Sequence, residues 1–169
     1  MELLKAEKAM LKIYVDAIGG LGITDVQTAI YNGGKGDILT LSEVKTIING
    51  LYQKGLVEEA DRVAFGSGIL DREATYGISF AGKCALRYGV TIDRLALKTL
   101  GQLVALAGKP ITVKSFASAY FAEHGKLPAS VPAEFAKLEN AGFGTVNGDS
   151  VTLTTLGKNV RTMLAEAQK

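Results

Sequence analysis

Several residue types are scarce in this 169-residue chain, and each scarcity removes a class of protein. It has no tryptophan, one cysteine (Cys84) and one histidine (His124). A single cysteine cannot form an internal disulfide, which favours a reducing compartment. The chain has no apolar run approaching the roughly 20 residues that a membrane helix needs, and residues 1–5 lack the pattern of a secretory signal. We therefore predict a cytoplasmic protein with no membrane partner.

Groups that could perform catalysis are few as well. Cys84 lies beside Leu86 in a predicted helix, and we interpret it as a small core residue rather than a nucleophile. His124 precedes Gly125 at a predicted helix end, where the helix dipole favours a cation, so we interpret it as a capping residue. One histidine and one cysteine cannot supply a metal site, and no carboxylates are paired as acid and base. We predict no enzyme activity, no metal and no cofactor.

The charge is nearly balanced, with 19 Lys and Arg against 17 Asp and Glu and a net charge of +2. Residues 1–90 carry ten basic and eleven acidic residues, whereas residues 91–169 carry nine and six. This balance neither indicates nor excludes nucleic-acid binding, because a local basic stripe is sufficient.

The two parts of the chain share one order of sequence signals. Residues 51–56, LYQKGL, end a predicted helix and correspond to LENAGF at 138–143, an offset of 87. Residues 78–83, ISFAGK, correspond to LTTLGK at 153–158, an offset of 75. Ile23-Thr24 and Ile111-Thr112, each predicted to open a helix, differ by 88. We predict two copies of one unit, residues 1–90 and 91–169, with a shorter hairpin in the second.

In the first copy, local signals predict three helices, a hairpin and a closing helix. The first helix has its apolar stripe at Leu4, Leu11, Val15 and Ile18, with Met10 and Tyr14 beside it, and ends at Gly19-Gly20. Capping boxes begin the second at Thr24 with Gln27 and the third at Thr40 with Glu43. The third helix runs to about Lys54 before Gly55 and buries Val44, Ile47, Ile48 and Leu51. The hairpin spans 56–80 with its tip at Gly66-Ser67-Gly68, and Ser79 caps the closing helix.

The second copy follows the same plan with shorter elements. Residues 92–106 are predicted as one helix whose apolar residues are Leu95, Leu100, Leu103 and Val104. Asn147-Gly148 is a hairpin-turn signal between two short strands.

This order of elements resembles the winged-helix family and is similar to MarR-like DNA-binding domains. The resemblance rests on LxxxG followed by Leu or Phe at the third helix end, and on Ile or Leu, Ser or Thr, two residues and Gly-Lys after the wing. It implies an α+β, mostly α fold of two tandem winged-helix domains, each with three helices, a β-hairpin wing and a closing helix. Tandem copies also resemble protein-binding modules, such as accessory subunits of bacterial condensin or endosomal sorting subunits, so the fold alone does not choose a function.

In the winged-helix family the third helix enters the major groove, so its outer face distinguishes these functions. In the first copy we predict that Ser42, Thr46 and Asn49 contact base edges, with Gln53 on the same face. Phosphate contacts are predicted for Lys35, Lys45 and Lys54, and contacts with the flanking backbone for Arg62 and Arg72. Acidic residues outnumber those two arginines in the wing and would repel phosphate, namely Glu58, Glu59, Asp61, Asp71 and Glu73.

In the second copy, the offset of 87 places small residues on the corresponding face. Ala129, Pro132, Ala133 and Ala136 are predicted to form an assembly interface, with Asn140 at the end of the face. We predict a DNA-binding transcription or replication accessory factor of a bacterium, phage or plasmid, with a homodimer as one possible state. The alternative is a protein adaptor that does not read DNA, favoured by the acidic wing and the small-residue face.

Overall fold

The chain is mostly helical with small antiparallel sheets, which confirms the predicted α+β, mostly α class. The computed structural model describes residues 3–17, 20–32, 39–60 and 75–169. Two compact units, here called the first and second units, divide between Ile92 and Asp93. In the described ranges, no helix combines the length and apolar character that crossing a membrane requires.

In its described residues, the first unit contains four helices and a two-stranded antiparallel sheet. Its elements are α1 (Lys5–Asp16), α2 (Ile23–Asn32), α3 (Leu41–Gln53), β1 (Val57–Glu59), β2 (Tyr76–Ile78) and α4 (Phe80–Tyr88). Val57 pairs with Ile78, and Glu59 pairs with Tyr76. An additional bridge joins Tyr76 to Leu21, just ahead of α2. Helix α1 packs against α3 and α4, around a core formed by Met10, Leu11, Tyr14, Val26, Val44, Ile48, Leu51, Leu56 and Cys84.

The second unit repeats this order with a slightly larger sheet. Its elements are α5 (Arg94–Gln102), a 3-10 turn (Val104–Leu106), β3 (Ile111–Thr112), α6 (Val113–His124), α7 (Val131–Asn140), β4 (Gly144–Asn147), β5 (Ser150–Leu153) and α8 (Thr155–Ala167). Strand β5 lies between β3 and β4. Helix α5 packs against α7 and α8, around a core formed by Leu100, Leu103, Phe116, Phe135, Leu138, Phe143 and Val160.

The repeated sequence signals form the same junction in both units. After α3, Gly55 adopts a positive φ of 68°, and the Leu56 amide donates to the Leu51 carbonyl at 2.9 Å. The Ser79 hydroxyl then donates to the Gly55 carbonyl at 2.7 Å. In the second unit, Gly142 has φ 72°, the Phe143 amide donates to Leu138 at 2.8 Å, and the Thr154 hydroxyl donates to Gly142 at 2.7 Å. A left-handed residue after a helix favours glycine, which explains the repeated LxxxG.

The second glycine of each repeat is required by a close backbone approach. Gly82 donates its N–H to the Ser79 hydroxyl at 3.0 Å, and Gly157 donates to Thr154 at 3.1 Å. A Cβ at Gly82 would collide with the carbonyl oxygen of Leu56, and one at Gly157 with that of Phe143. Each closing helix therefore begins in contact with the residue after the left-handed glycine, Leu56 or Phe143. Only glycine leaves room for this contact.

The buried side of α1 differs from the prediction. Leu4 and Val15 are 66% and 43% exposed, and the helix ends at Asp16. The helix instead turns Glu7, Met10, Leu11 and Tyr14 inward. Leu3, just before the helix, is also buried. The predicted stripe contains only apolar residues. Glu7 is nevertheless buried, because hydrogen bonds satisfy its carboxylate. Ile18 and Gly19 lie outside the described residues.

Helix α2 begins at Ile23, as predicted, but its capping residue is Gly22 and not Thr24. The Gly22 amide donates to the Asp25 carboxylate at 3.0 Å, and the Val26 amide donates to the Gly22 carbonyl. Thr24 therefore lies in the first helical turn. The side-chain amide of Gln27 donates to the Leu39 carbonyl at 3.0 Å. Thr112, by contrast, caps α6 with Ser115. Ile23-Thr24 and Ile111-Thr112 are consequently not equivalent, and the starts of α2 and α6 are 90 residues apart.

Two boundaries in the second unit also differ from the prediction. Helix α5 ends at Gln102 instead of Leu106, and Leu95 is 63% exposed, whereas Ala96 and Thr99 are buried. In the hairpin, Asn147 pairs with Ser150, so Gly148 and Asp149 form the two-residue loop. Gly148 has φ 58° and takes the first loop position, where a type II′ turn favours glycine.

Candidate nucleic-acid interface

Capping interactions that the sequence predicts define both ends of helix α3. The Thr40 hydroxyl accepts from the Glu43 amide at 3.2 Å, and the Glu43 carboxylate accepts from the Thr40 amide at 2.7 Å. These two bonds form the predicted capping box. The hydrogen bonds from Thr40 hold the pKa of the Glu43 carboxyl below its usual value. At the other end, Lys54 caps the helix before Gly55. The side chains of α3 therefore project from a well-defined helix.

The predicted polar face of α3 lies on the protein surface. All five of its side chains are exposed, namely Ser42, Lys45, Thr46, Asn49 and Gln53. The opposite side holds Val44, Ile48 and Leu51, each fully buried, while Ile47 is half-buried. The Thr46 hydroxyl donates to the Ser42 carbonyl at 2.9 Å, which leaves its oxygen able to accept. This face combines one cation, two hydroxyls and two amides, the groups that contact base edges and phosphates in DNA complexes.

Lys54 is placed differently from the rest of the predicted site. Its ammonium group lies 2.5 Å from the carboxylate of Glu7, and the side chain is 27% exposed. The second carboxylate oxygen of Glu7 accepts from the Leu4 amide at 3.0 Å. The charge of Lys54 is therefore compensated inside the first unit, where it ties the end of α3 to the start of α1. Its role in contacting phosphate is correspondingly weakened.

Other predicted contacts fall outside the described ranges. These are Lys35, Arg62 and Arg72, together with the hairpin tip Gly66-Ser67-Gly68 and the acidic residues Asp61, Asp71 and Glu73. Of the predicted acidic hairpin residues, Glu58 and Glu59 on β1 are described, and both are exposed.

One exposed side chain on α3, Tyr52, lies beside the predicted polar face and is not part of that prediction. Tyr52 is 44% exposed, and its ring meets Tyr76 of β2 edge to face with the centroids 5.6 Å apart. Tyr52 lies three residues after Asn49 and seven after Lys45, so these three side chains are neighbours on the helix surface. The sequence contains this spacing, but a tyrosine next to the apolar stripe can belong either to the core or to the surface.

The corresponding helix of the second unit, α7, presents small side chains. Pro132, Ala133 and Ala136 are exposed, as is Asn140 at its end. Ala129 precedes the N-cap residue Ser130 and so lies outside the helix. Its predicted equivalence to Ser42 of α3 is therefore wrong. Helix α3 has 13 residues and α7 has ten, because α7 begins about one turn later relative to its glycine.

The two residues considered for catalysis both lie in helices. Cys84 is fully buried in α4, and desolvation raises the pKa of its thiol to about 11, although the charge of Arg87 acts in the opposite direction. His124 is the last residue of α6, before Gly125 with φ 67°, and its ring lies 4.3 Å from that of Tyr120. Within the described ranges, no three His, Cys, Asp or Glu side chains form a cluster that could bind a metal ion.

Comparisons with known proteins leave the candidate interface to be judged on its own geometry. No family model, curated protein or solved structure matches the chain.

Proposed function

We propose that this chain is a DNA-binding protein built from two winged-helix units, in which α3 of the first unit contacts the double helix. The observation that carries the proposal is the polar face of α3, five exposed side chains opposite a fully buried apolar stripe. The order of helices and strands in each unit supports a winged-helix arrangement, in which the third helix enters the major groove. A transcription or replication accessory factor of a bacterium, phage or plasmid is the role that we assign to it.

The groups on this face suit different parts of the DNA, the base edges and the phosphates. Asn49 offers both an amide donor and a carbonyl acceptor, a combination that matches adenine edges. Ser42 and Thr46 add hydroxyls on either side. Lys45 is exposed and has no ion-pair partner among the described residues, so its charge is available to a phosphate. Because the five-residue face carries one cation, we expect a shallower salt dependence than in strongly basic DNA-binding proteins.

The test is the anisotropy of a labelled duplex titrated with protein at two salt concentrations. Changing Lys45 and Asn49 together to Ala should reduce affinity at least tenfold, since a base contact is worth roughly 1–3 kcal/mol and a phosphate contact is lost as well. It should also reduce the slope of log affinity against log salt by about 0.9, one phosphate contact.

A matched control is available on α8 of the second unit. Lys158 and Asn159 are both exposed, so changing them to Ala removes the same two residue types from another surface. This control should stay within about twofold of the wild-type affinity, as expected for a surface without a specific contact. Equal losses in the two double variants, with unchanged circular dichroism, would contradict the proposal for α3.

A second candidate function is protein assembly through the second unit. It is favoured by the exposed Pro132, Ala133 and Ala136 on α7, small side chains that allow close packing of another helix. Under this hypothesis the protein is an adaptor, and no duplex binding occurs even at low salt. Changing Ala133 to Glu should then lower the self-association measured by sedimentation, whereas the same change at Ala105, also exposed, should not.

A further inference from the structure

Two tyrosines form an aromatic surface where α3 meets the hairpin. The ring of Tyr52 stands edge to face against that of Tyr76, at an interplanar angle of 67°. Tyr76 is held firmly, because its backbone exchanges two hydrogen bonds with Leu21, at 2.9 and 3.0 Å, and pairs with Glu59 of β1. Tyr52 is 44% exposed, and Tyr76 is half-buried. The pair therefore presents accessible aromatic surface on a fixed support.

This aromatic surface continues the polar face of α3. Lys45, Asn49 and Tyr52 follow one another at spacings of four and three residues, so they form one row along the helix. A nucleic acid that is bound by Lys45 and Asn49 and continues along this row reaches the ring of Tyr52. This ring lies near strand β1, which carries the exposed Glu58 and Glu59.

The chemistry of this row distinguishes paired from unpaired nucleotides. Inside a duplex the faces of the bases are covered by their neighbours, so an aromatic side chain can stack only on a base that has left the helix. Stacking of a base on an aromatic side chain is strong and tolerant of sequence. The two carboxylates on β1 also disfavour a second phosphate backbone beside the tyrosines, because like charges repel.

We infer that Tyr52, supported by Tyr76, is a stacking site for an unpaired base, and that the protein prefers a junction of duplex and single strand to a continuous duplex. This inference rests on the proposed function, since Lys45 and Asn49 hold the duplex side of the junction. Under this inference, Tyr52 determines the preference for a junction over a continuous duplex, and the polar face of α3 determines the preference for base sequence.

The experiment compares three kinds of labelled probe with the same sequence: a blunt duplex, two duplexes that carry a short thymine tail at the 5′ or at the 3′ end of one strand, and the single strand. Wild-type protein should bind one of the tailed duplexes at least fivefold more tightly than the blunt duplex. Tyr52→Ala should lose about tenfold on that tailed duplex, the effect expected for one stacked base, and less than twofold on the blunt duplex. Tyr52→Phe keeps the ring and should retain the preference.

Tyr31→Ala is the matched control, because Tyr31 on α2 is 70% exposed and does not belong to the row. It should not change the preference for the tail. The absence of tryptophan allows a second readout, since tyrosine emission can be observed directly. Adding the tailed duplex should quench more emission in the wild type than in Tyr52→Phe/Tyr76→Phe, which has no phenol at the site.

The outcomes separate this inference from the function on which it rests. If wild-type protein binds blunt and tailed duplexes equally, or if Tyr52→Ala weakens both by the same factor, the stacking site is refuted while duplex binding stands. If wild-type protein binds none of the probes, the proposed function fails and the inference fails with it. The first comparison uses unmodified protein, so it does not depend on the folding of any variant.

Discussion

The two units have the same junction between the third helix, the hairpin and the closing helix, but different third helices. Gly55, Ser79 and Gly82 of the first unit make the same backbone contacts as Gly142, Thr154 and Gly157 of the second. In contrast, α3 has 13 residues and a polar outer face, whereas α7 has ten and exposes Pro132 and two alanines. The comparison teaches that the junction maintains the fold, while the outer face of the third helix is free to determine function.

The largest effect is expected at the shared junction. Gly82→Ala and Gly157→Ala each place a Cβ against a backbone carbonyl that cannot move away easily. We expect each to destabilise its own unit by about 3 kcal/mol, the upper part of the range for overpacking. Thermal denaturation followed by circular dichroism measures this. The controls are Gly50→Ala and Gly101→Ala, where the space is open and helix propensity predicts a gain of roughly 0.5–1 kcal/mol. Unchanged melting in both junction variants would show that the close backbone approach does not require glycine at these positions.

Alkaline pH should affect the two units differently, because only the first contains a cysteine. The pKa of Cys84 is raised to about 11 by burial, above the ordinary value of 9.0. The unfolded chain ionises first, so the contribution of this thiol to stability is constant below pH 9 and is lost between pH 9 and 11. The loss is roughly 2–3 kcal/mol. Urea unfolding across this range measures it, with Cys84→Ala as the control that should lose this part of the pH dependence. The same slope in both proteins would assign it to other groups.

The ion pair between Glu7 and Lys54 has no counterpart at the corresponding position of the second unit, where Ala141 follows α7. Among the described residues, Lys54→Ala leaves the Glu7 carboxylate, 6% exposed, with the Leu4 amide as its remaining partner. We expect a loss of about 2 kcal/mol, less than for a fully buried pair because Lys54 still reaches water. A double-mutant cycle with Glu7→Ala measures the coupling. If the two single changes are additive, the ion pair does not join α1 to α3.

The smallest effects concern the caps of the two third helices. Thr40 makes reciprocal bonds with Glu43, whereas the Ser130 hydroxyl accepts only from the Ala133 amide, at 3.3 Å. Thr40→Ala should therefore cost about 1 kcal/mol, and Ser130→Ala about half as much. Chemical denaturation of the two variants measures the difference, with Thr40→Ser as the conservative control. A larger loss for Ser130→Ala would mean that the capping box contributes little.

Local signals explain which parts of the fold were predictable. The capping box of Thr40 and Glu43, the end of α3 before Gly55 and the cap at Ser79 each depend on atoms a few residues apart, and all three agree with the prediction. The outer face of α3 was also exposed as predicted, because its buried stripe has a clear helical period. The predicted capping residue of α2 is wrong because two capping signals overlap, and the sequence alone does not decide between Gly22 with Asp25 and Thr24 with Gln27.

Within the described residues, the sequence by itself determined the order of helices and hairpin strands and the shared junction, since these follow from contacts between near neighbours. Only the tertiary structure decided which charged and aromatic side chains are buried or brought together. Glu7 is buried because Lys54, 47 residues later, reaches its carboxylate. Tyr52 meets Tyr76 because β2 lies beside the end of α3. Such pairings depend on the packing of whole elements, and helical or strand periodicity carries no information about them.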